Sequence, residues 1–278
     1  MGDVWSQFRK HRLAMLAIVV LVVIILGVVF GPFVWTIDPT YIDFSVKFEI
    51  SPEHPFGTDD LGRDILARTM YGGRVSLAIG LTAMFIAMTI GTLIGVLSGY
   101  FKALDNPLMR LTDMFLSLPI LPLLLVITML FQGELRKAFG LEAGIFILTV
   151  SIIGALGWMP TARLVRGEVL TVKEREFVLA ARSLGSSNLS ILIRHILPNV
   201  FSPVIVAATF SIAGAIITES ALSFLGLGFP SDFPTWGRIL LDGNKYIDSF
   251  FAPVFFSGLL ISLTVLCVNF IGDGLRDA

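Results

Sequence analysis

The sequence is poor in charge and almost without cysteine. Of its 278 residues 15% are charged against 55% hydrophobic, and the mean hydropathy is +0.86, outside the range of a water-soluble domain of this length. The single cysteine, Cys267, lies in an apolar run, which excludes an intrachain disulfide and a zinc site built on paired thiolates. No Gly-Lys dipeptide occurs, so no GxxxxGK[ST] loop can hold nucleotide phosphates. HExxH and GxSxG are missing too, which leaves no zinc helix and no nucleophile elbow for an intramembrane hydrolase. No basic run suggests nucleic acid, and a net charge of -1 singles out no partner.

What is present is apolar sequence in long runs. About 20 apolar residues cross the hydrocarbon, and six segments predict transmembrane helices: 13–35, 76–100, 112–131, 144–162, 200–225 and 251–271. The fold class is therefore all-α, a polytopic membrane protein with six transmembrane helices. The first run follows RKHR, is too long for a signal-peptide core and lacks a small-residue cleavage site, so it reads as an uncleaved span. Pro119 and Pro122 interrupt the third span and Pro160 closes the fourth. With a cytoplasmic N-terminus, the inner connections carry 12 Lys and Arg and the outer ones 8, which places both termini and the segment 163–199 in the cytoplasm. A composition shift near residue 72 divides the chain. Residues 1–72 form a tail, a first span and an external segment, and 73–278 form a five-span core with its cytoplasmic loop at 163–199.

That loop is patterned as two helices. Phe177, Ala180, Ala181 and Leu184 fall at i, i+3, i+4 and i+7, one stripe on a helix. Gly185 follows where a left-handed residue ends a helix, and Ser186, Ser187 or Asn188 can cap the next. The second helix, with Leu189, Leu192, Ile193 and Ile196 on one face, ends at Pro198 and leads into the fifth span. An amphipathic helix resting on lipid headgroups is one reading. The alanines at 180 and 181 favour the other, a protein docking surface, because they bury little area in lipid yet let a second backbone come close.

AARSLG, nine residues and then HILPN resemble the coupling loop of ABC importer permeases, whose pattern is EAAxxxG, nine residues, IxLP. Ala180, Ala181, Gly185, Leu197 and Pro198 match, while Leu179 stands in place of the glutamate and His195 in place of the isoleucine. Glu176, one turn earlier, is a candidate substitute for that glutamate. HPFGTDDLGRDILARTMYGGRVSL, TESALSFLGLGFP, PTWGRIL and GDGLRDA resemble the C-type permease subunit of dipeptide, oligopeptide and nickel importers of this class, over nearly the whole chain. The resemblance implies a type I importer fold in a bacterial or archaeal cytoplasmic (inner) membrane. It also implies a heterodimer with a second related permease, two cytoplasmic ATP-binding subunits and an extracytoplasmic substrate-binding protein. ATP and Mg would bind those partners, and this chain would carry no cofactor, catalytic residue or metal of its own. The coupling site it implies comprises Glu176, Phe177, Ala180, Ala181, Arg182, Leu184, Gly185, Leu197 and Pro198. Peptides and nickel stay open as substrates.

Glu219 is the one acidic residue well inside a predicted span. A mid-bilayer charge costs roughly 2.5–3.5 kcal/mol on insertion scales, so it faces protein, water or a cavity. It stands either on the translocation path, with Asn269 as a weaker companion, or in a structural hydrogen bond. A proton-coupled secondary transporter working through Glu219, or a docking protein that transports nothing, are the alternatives to an ATP-driven importer. Gly91, Gly95 and Gly99 form overlapping GxxxG units that predict a close helix contact. In the external segment, His54, Asp59, Asp60 and Asp64 invite a cation-site reading; Asp59 with Arg63 and Asp64 with Arg68 as i, i+4 pairs on a short amphipathic helix is the simpler one.

Overall fold

The computed structural model describes residues 7–277. Eleven α-helices of four or more residues carry it from Arg12 onward, with no named strand among the described residues. Helix α1 (Arg12–Val34) starts at His11, whose Nδ1 accepts the Ala14 N–H at 3.2 Å. It buries only Ala14, Ala17, Ile24 and Val28, a stripe at helical spacing that meets the rest of the chain while Val19, Val23 and Phe30 face outward. Such a helix belongs against lipid.

Helix α2 (Ile65–Tyr100) is 36 residues long, about 54 Å at 1.5 Å per residue, so it outruns the hydrocarbon core. Its start is fixed by Asp64, which caps it by accepting the Ala67 N–H at 2.6 Å. The remaining elements are α3 (Lys102–Ser117), α4 (Ile120–Phe139), α5 (Leu141–Ala155) and α6 (Met159–Val172). They continue with α7 (Glu176–Ser183), α8 (Asn188–Ile191), a π-turn (Leu192–Ile196) and α9 (Leu197–Phe224). The short α10 (Trp236–Asn244) and the final α11 (Ala252–Asp277) complete the chain.

Among the described residues, five stretches are long and apolar enough to cross a membrane: α1, α2, Leu141–Val172, Asn188–Phe224 and α11. The predicted third span, 112–131, is not one helix. Leu118 is extended (ψ 138°) ahead of Pro119, as the proline ring demands of its predecessor, and α3 meets α4 at 86°. Counted as one broken span, the pair makes six. The fourth span also departs from the expected 144–162. It joins α5 and α6 across Leu156–Trp158 and runs on to Val172. Helix α2 begins at Ile65, not at 76. In both cases the extra turns are charged, and their arginines are satisfied by partners distant in sequence.

The glycine stripe on α2 lies against α6. A Cβ at Gly91 would sit 2.7 Å from the Thr161 Cβ, at Gly95 2.6 Å from the Val165 Cβ, and at Gly99 2.7 Å from the Val169 Cβ. The three contacts climb α6 in register, every four residues, so only glycine permits this approach. One apolar core continues from this seam, through Val96, Val165, Val169, Val178, Ala181, Ile191, Ile196 and Val200, from the spans into the loop.

Gly95→Leu drives a side chain into Val165 and the Ala162 carbonyl. It is expected to destabilise the protein by about 1–3 kcal/mol or more, read as a lower unfolding temperature of purified protein. Gly167→Ala, where nothing lies within 4 Å, is the control expected to leave it unchanged.

Candidate coupling loop and membrane cavity

Helix α7 divides its side chains between two surroundings. Val178 and Ala181 are buried against the common core, whereas Phe177, Leu179, Ala180, Arg182 and Leu184 are exposed. The predicted stripe therefore splits: Phe177, Ala180 and Leu184 point away from the protein and Ala181 points into it. Leu184 is 87% exposed, an apolar side chain held out at a helix end. Gly185 has φ +80°, and the Ser186 N–H donates to the Ala181 carbonyl at 3.1 Å, closing the helix as the glycine predicts. Ser187 caps α8 through the Ser190 N–H at 3.3 Å. Leu192 and Ile196 turn inward while Leu189 and Ile193 stay exposed.

Pro198 does not end that helix. It lies in the first turn of α9, where its missing N–H costs little, and the π-turn Leu192–Ile196 carries the chain smoothly into it. His195 sits beside Phe177, ring centroids 6.2 Å apart, so the residue in the isoleucine position still packs on α7. Glu176 is exposed in the first turn of α7, favourably placed at the positive end of the helix. The loop is tied to the spans by Lys173 Nζ donating to the Gly99 carbonyl at 3.0 Å and by the Tyr100 hydroxyl bonded to Asn188 Oδ1 at 2.8 Å.

Above the loop, α2, α4, α5, α6, α9 and the end of α11 line an open cavity of about 750 Å³. Neither Glu219 nor Asn269 lines it. Glu219 is wholly buried, its Oε1 accepting from the Ser223 hydroxyl at 2.7 Å and its Oε2 from the Ser76 hydroxyl at 3.1 Å. Ser76 Oγ in turn accepts the Trp236 N–H at 3.3 Å. The carboxyl thus joins α2, α9 and α10, the geometry of the structural reading, and Asn269 is half-buried on α11.

Comparison with known proteins decides the family. Residues 87–278 match the family model of binding-protein-dependent transport system inner membrane components, and residues 1–52 that of the N-terminal TM domain of oligopeptide transport permease C. The chain belongs to the family of binding-protein-dependent transport permeases. It is 37% identical, over 99% of its length and 88% of the relative's, to the dipeptide transport system permease protein DppC of Alkalihalophilus pseudofirmus. The oligopeptide transport system permease protein OppC of Haemophilus influenzae is 37% identical over 99% of this chain and 86% of the relative. The glutathione transport system permease protein GsiD of Escherichia coli is 38% identical over 99% and 88%. Among solved structures, an inward-facing MetNI methionine ABC transporter aligns with a TM-score of 0.58 at 22% identity, covering 74% of this chain and 93% of that one. The fold is that of a type I ABC importer permease, and the chain is a C-type permease subunit, not an enzyme.

The segment between α1 and α2 of the permease is clamped, not helical. Residues 59–64 form a turn in which Gly62 has φ +77° and the Asp43 carbonyl occupies the place of a Cβ, so the predicted amphipathic helix cannot form there. Arg63 Nε donates to Asp59 Oδ2 at 2.7 Å, as expected, but Arg68 pairs with Asp59 at 3.6 Å and Asp242 at 3.5 Å, not with Asp64. Asp64 is occupied by the Trp35 Nε1–H at 3.0 Å and His54 Nδ1 at 2.7 Å. Arg63 and Arg68 both donate to the Ser231 carbonyl at 3.1 Å. The clamp fastens the start of α2 to α10. Sequence reasoning missed Asp242 and Arg238, although their i, i+4 spacing in WGRILLDG, here 3.0 Å apart, was a usable signal.

Glu219→Leu leaves the hydroxyls of Ser76 and Ser223 without their acceptor in a sealed site. It is expected to cost about 1–3 kcal/mol, seen as a lower unfolding temperature, with Glu219→Gln milder because one carbonyl oxygen remains. An unchanged transition for the leucine variant would remove Glu219 from the packing account.

Proposed function

We propose that this permease forms one half of the translocation pathway of an ATP-driven peptide importer in a bacterial or archaeal inner membrane, with both termini cytoplasmic. Its partners in this reading are a second related permease, two ATP-binding subunits that hold ATP and Mg, and an extracytoplasmic binding protein. Dipeptide and oligopeptide permeases among its near full-length relatives support peptides as cargo. A nickel cargo and a proton-coupled mechanism through Glu219 draw no support from the cavity, which Glu219 does not reach.

The observation that carries the reading is the two-sided α7. Val178 and Ala181 are built into the core of α2, α6 and α9, while Phe177, Leu179 and Leu184 offer apolar area to a partner. Closure of the ATP-binding subunits moves α7, and the shared core transmits that motion to α6 and α9. With Leu179 in place of the family pattern's glutamate, docking rests on apolar contact, with Glu176 and Arg182 at its edge. The substrate path then opens outward to receive cargo from the binding protein and inward to release it.

Leu184→Asp tests this without touching the fold, since Leu184 has almost no neighbours to lose. Removing a docked leucine is worth about 2 kcal/mol, so ATP-driven peptide uptake in proteoliposomes is expected to fall more than tenfold at unchanged permease stability. Full uptake in that variant would refute the docking role of α7.

A further inference from the structure

The cavity holds a charge pattern that coupling does not use. Its wall is apolar side chains with the hydroxyls of Thr161, Ser202, Ser211 and Thr218, and among the described residues two charged ones line it, the half-buried Glu168 on α6 and, at its solvent-exposed rim, Arg276 on α11. They are opposite in sign, and among the described residues neither has an ion-pair or hydrogen-bond partner. The neighbouring charges are matched. Arg163 pairs with Asp113 at 2.5 Å, Arg166 takes both oxygens of Asp105 at 2.5 and 2.7 Å, and Lys173 holds the Gly99 carbonyl.

Glu168 lies in the last turns of α6 and Arg276 in the last turn of α11, and the Ser202–Pro203 part of the wall lies at the start of α9. The two free charges therefore flank the end of the cavity nearest the coupling loop, and the wall beyond them carries hydroxyls but no charge. At about 750 Å³ the space falls within the usual range for a site that takes a small molecule.

We propose that Glu168 and Arg276 are the end-group contacts for a zwitterionic peptide crossing the cavity, Glu168 receiving the α-ammonium and Arg276 the α-carboxylate. The proposal rests on the peptide-importer reading. A charged terminus entering an apolar space loses hydration that only a counter-charge or several hydrogen bonds replace. Each terminus meets one counter-charge here, and charge-assisted hydrogen bonds are the strong ones. Ser202, at the same end of the wall, is placed to bond a backbone amide, and the apolar remainder accepts varied side chains without selecting among them. Selectivity in this site is therefore for free termini, not for side-chain identity.

The test is binding of trialanine and its capped forms to the assembled importer in nanodiscs, without binding protein or nucleotide, by saturation-transfer NMR titration. In the wild type, N-acetylation is expected to weaken binding roughly tenfold. Glu168→Gln is expected to weaken unmodified trialanine by the same factor and to abolish any further effect of acetylation. Arg276→Gln should show the same non-additivity with C-terminal amidation. Equal binding of free and capped peptides to the wild type, additive losses, or no binding of trialanine overturns the proposal. So does a uniform loss across free and capped peptides, the signature of a gate or a folding defect. ATP-driven uptake of trialanine by the wild type, measured with binding protein added, separates the two levels. Uptake without end-group coupling sinks this proposal alone, and absence of peptide uptake sinks the importer reading with it.

Discussion

Three glycines spaced four apart let α2 and α6 approach until side chains of one touch the backbone of the other, and the half of the permease that carries α7 depends on that seam. Gly91, Gly95 and Gly99 receive Thr161, Val165 and Val169 in order. In a bilayer, where lipid is as apolar as leucine, close packing of this kind replaces the hydrophobic drive that holds helices together in water. The seam sets where α6 stands. The stance of α6 then sets one wall of the cavity, the direction in which the chain leaves the membrane, and the core into which Val178 and Ala181 are packed.

The opposite half is held differently. Arg63 and Arg68, both almost fully buried, are neutralised by Asp59 and Asp242 and by carbonyls of distant loops. A buried ion pair contributes little net stability, but losing one partner strands a charge. Such a network therefore fixes geometry more than it adds free energy. Asp64 serves the same end by capping α2 while binding Trp35 and His54. With Glu219 joining α2, α9 and α10, the end of the permease that holds Asp59 to Arg68 is a single braced unit, whereas the opposite end exposes the apolar residues of α7.

Much of this was legible because it follows from local chemistry. Run length gave the spans, glycine spacing the α2 seam, and Gly185 the left-handed close of α7. Misreadings arose where a charge is satisfied far along the chain. Arg68 reads as the partner of Asp64 until Asp242 is beside it, and Arg163 and Arg166 read as loop residues until Asp113 and Asp105 are found 50 and 61 positions away. Pro119 announced a break, but the 86° bend depends on what α4 packs against. The stripe of α7 was right in spacing and wrong in unity, because this helix has apolar residues both in the core and exposed, and one sequence period cannot say which residue falls on which face. Glu168 carries no motif, and GDGLRDA gives Arg276 no role; only the cavity brings the two together.

The central claim is that the exposed face of α7 meets an ATP-binding subunit, and contact chemistry tests it most directly. A single cysteine at Leu184, in a cysteine-free background made by Cys267→Ser, is paired with a short-arm photoactivatable crosslinker in membranes that hold the whole importer. A permease–ATPase adduct that forms at Leu184, and not at the equally exposed Val34 at the far end of α1, is the predicted result. Labelling of lipid alone at Leu184, with no ATPase adduct, would contradict the account.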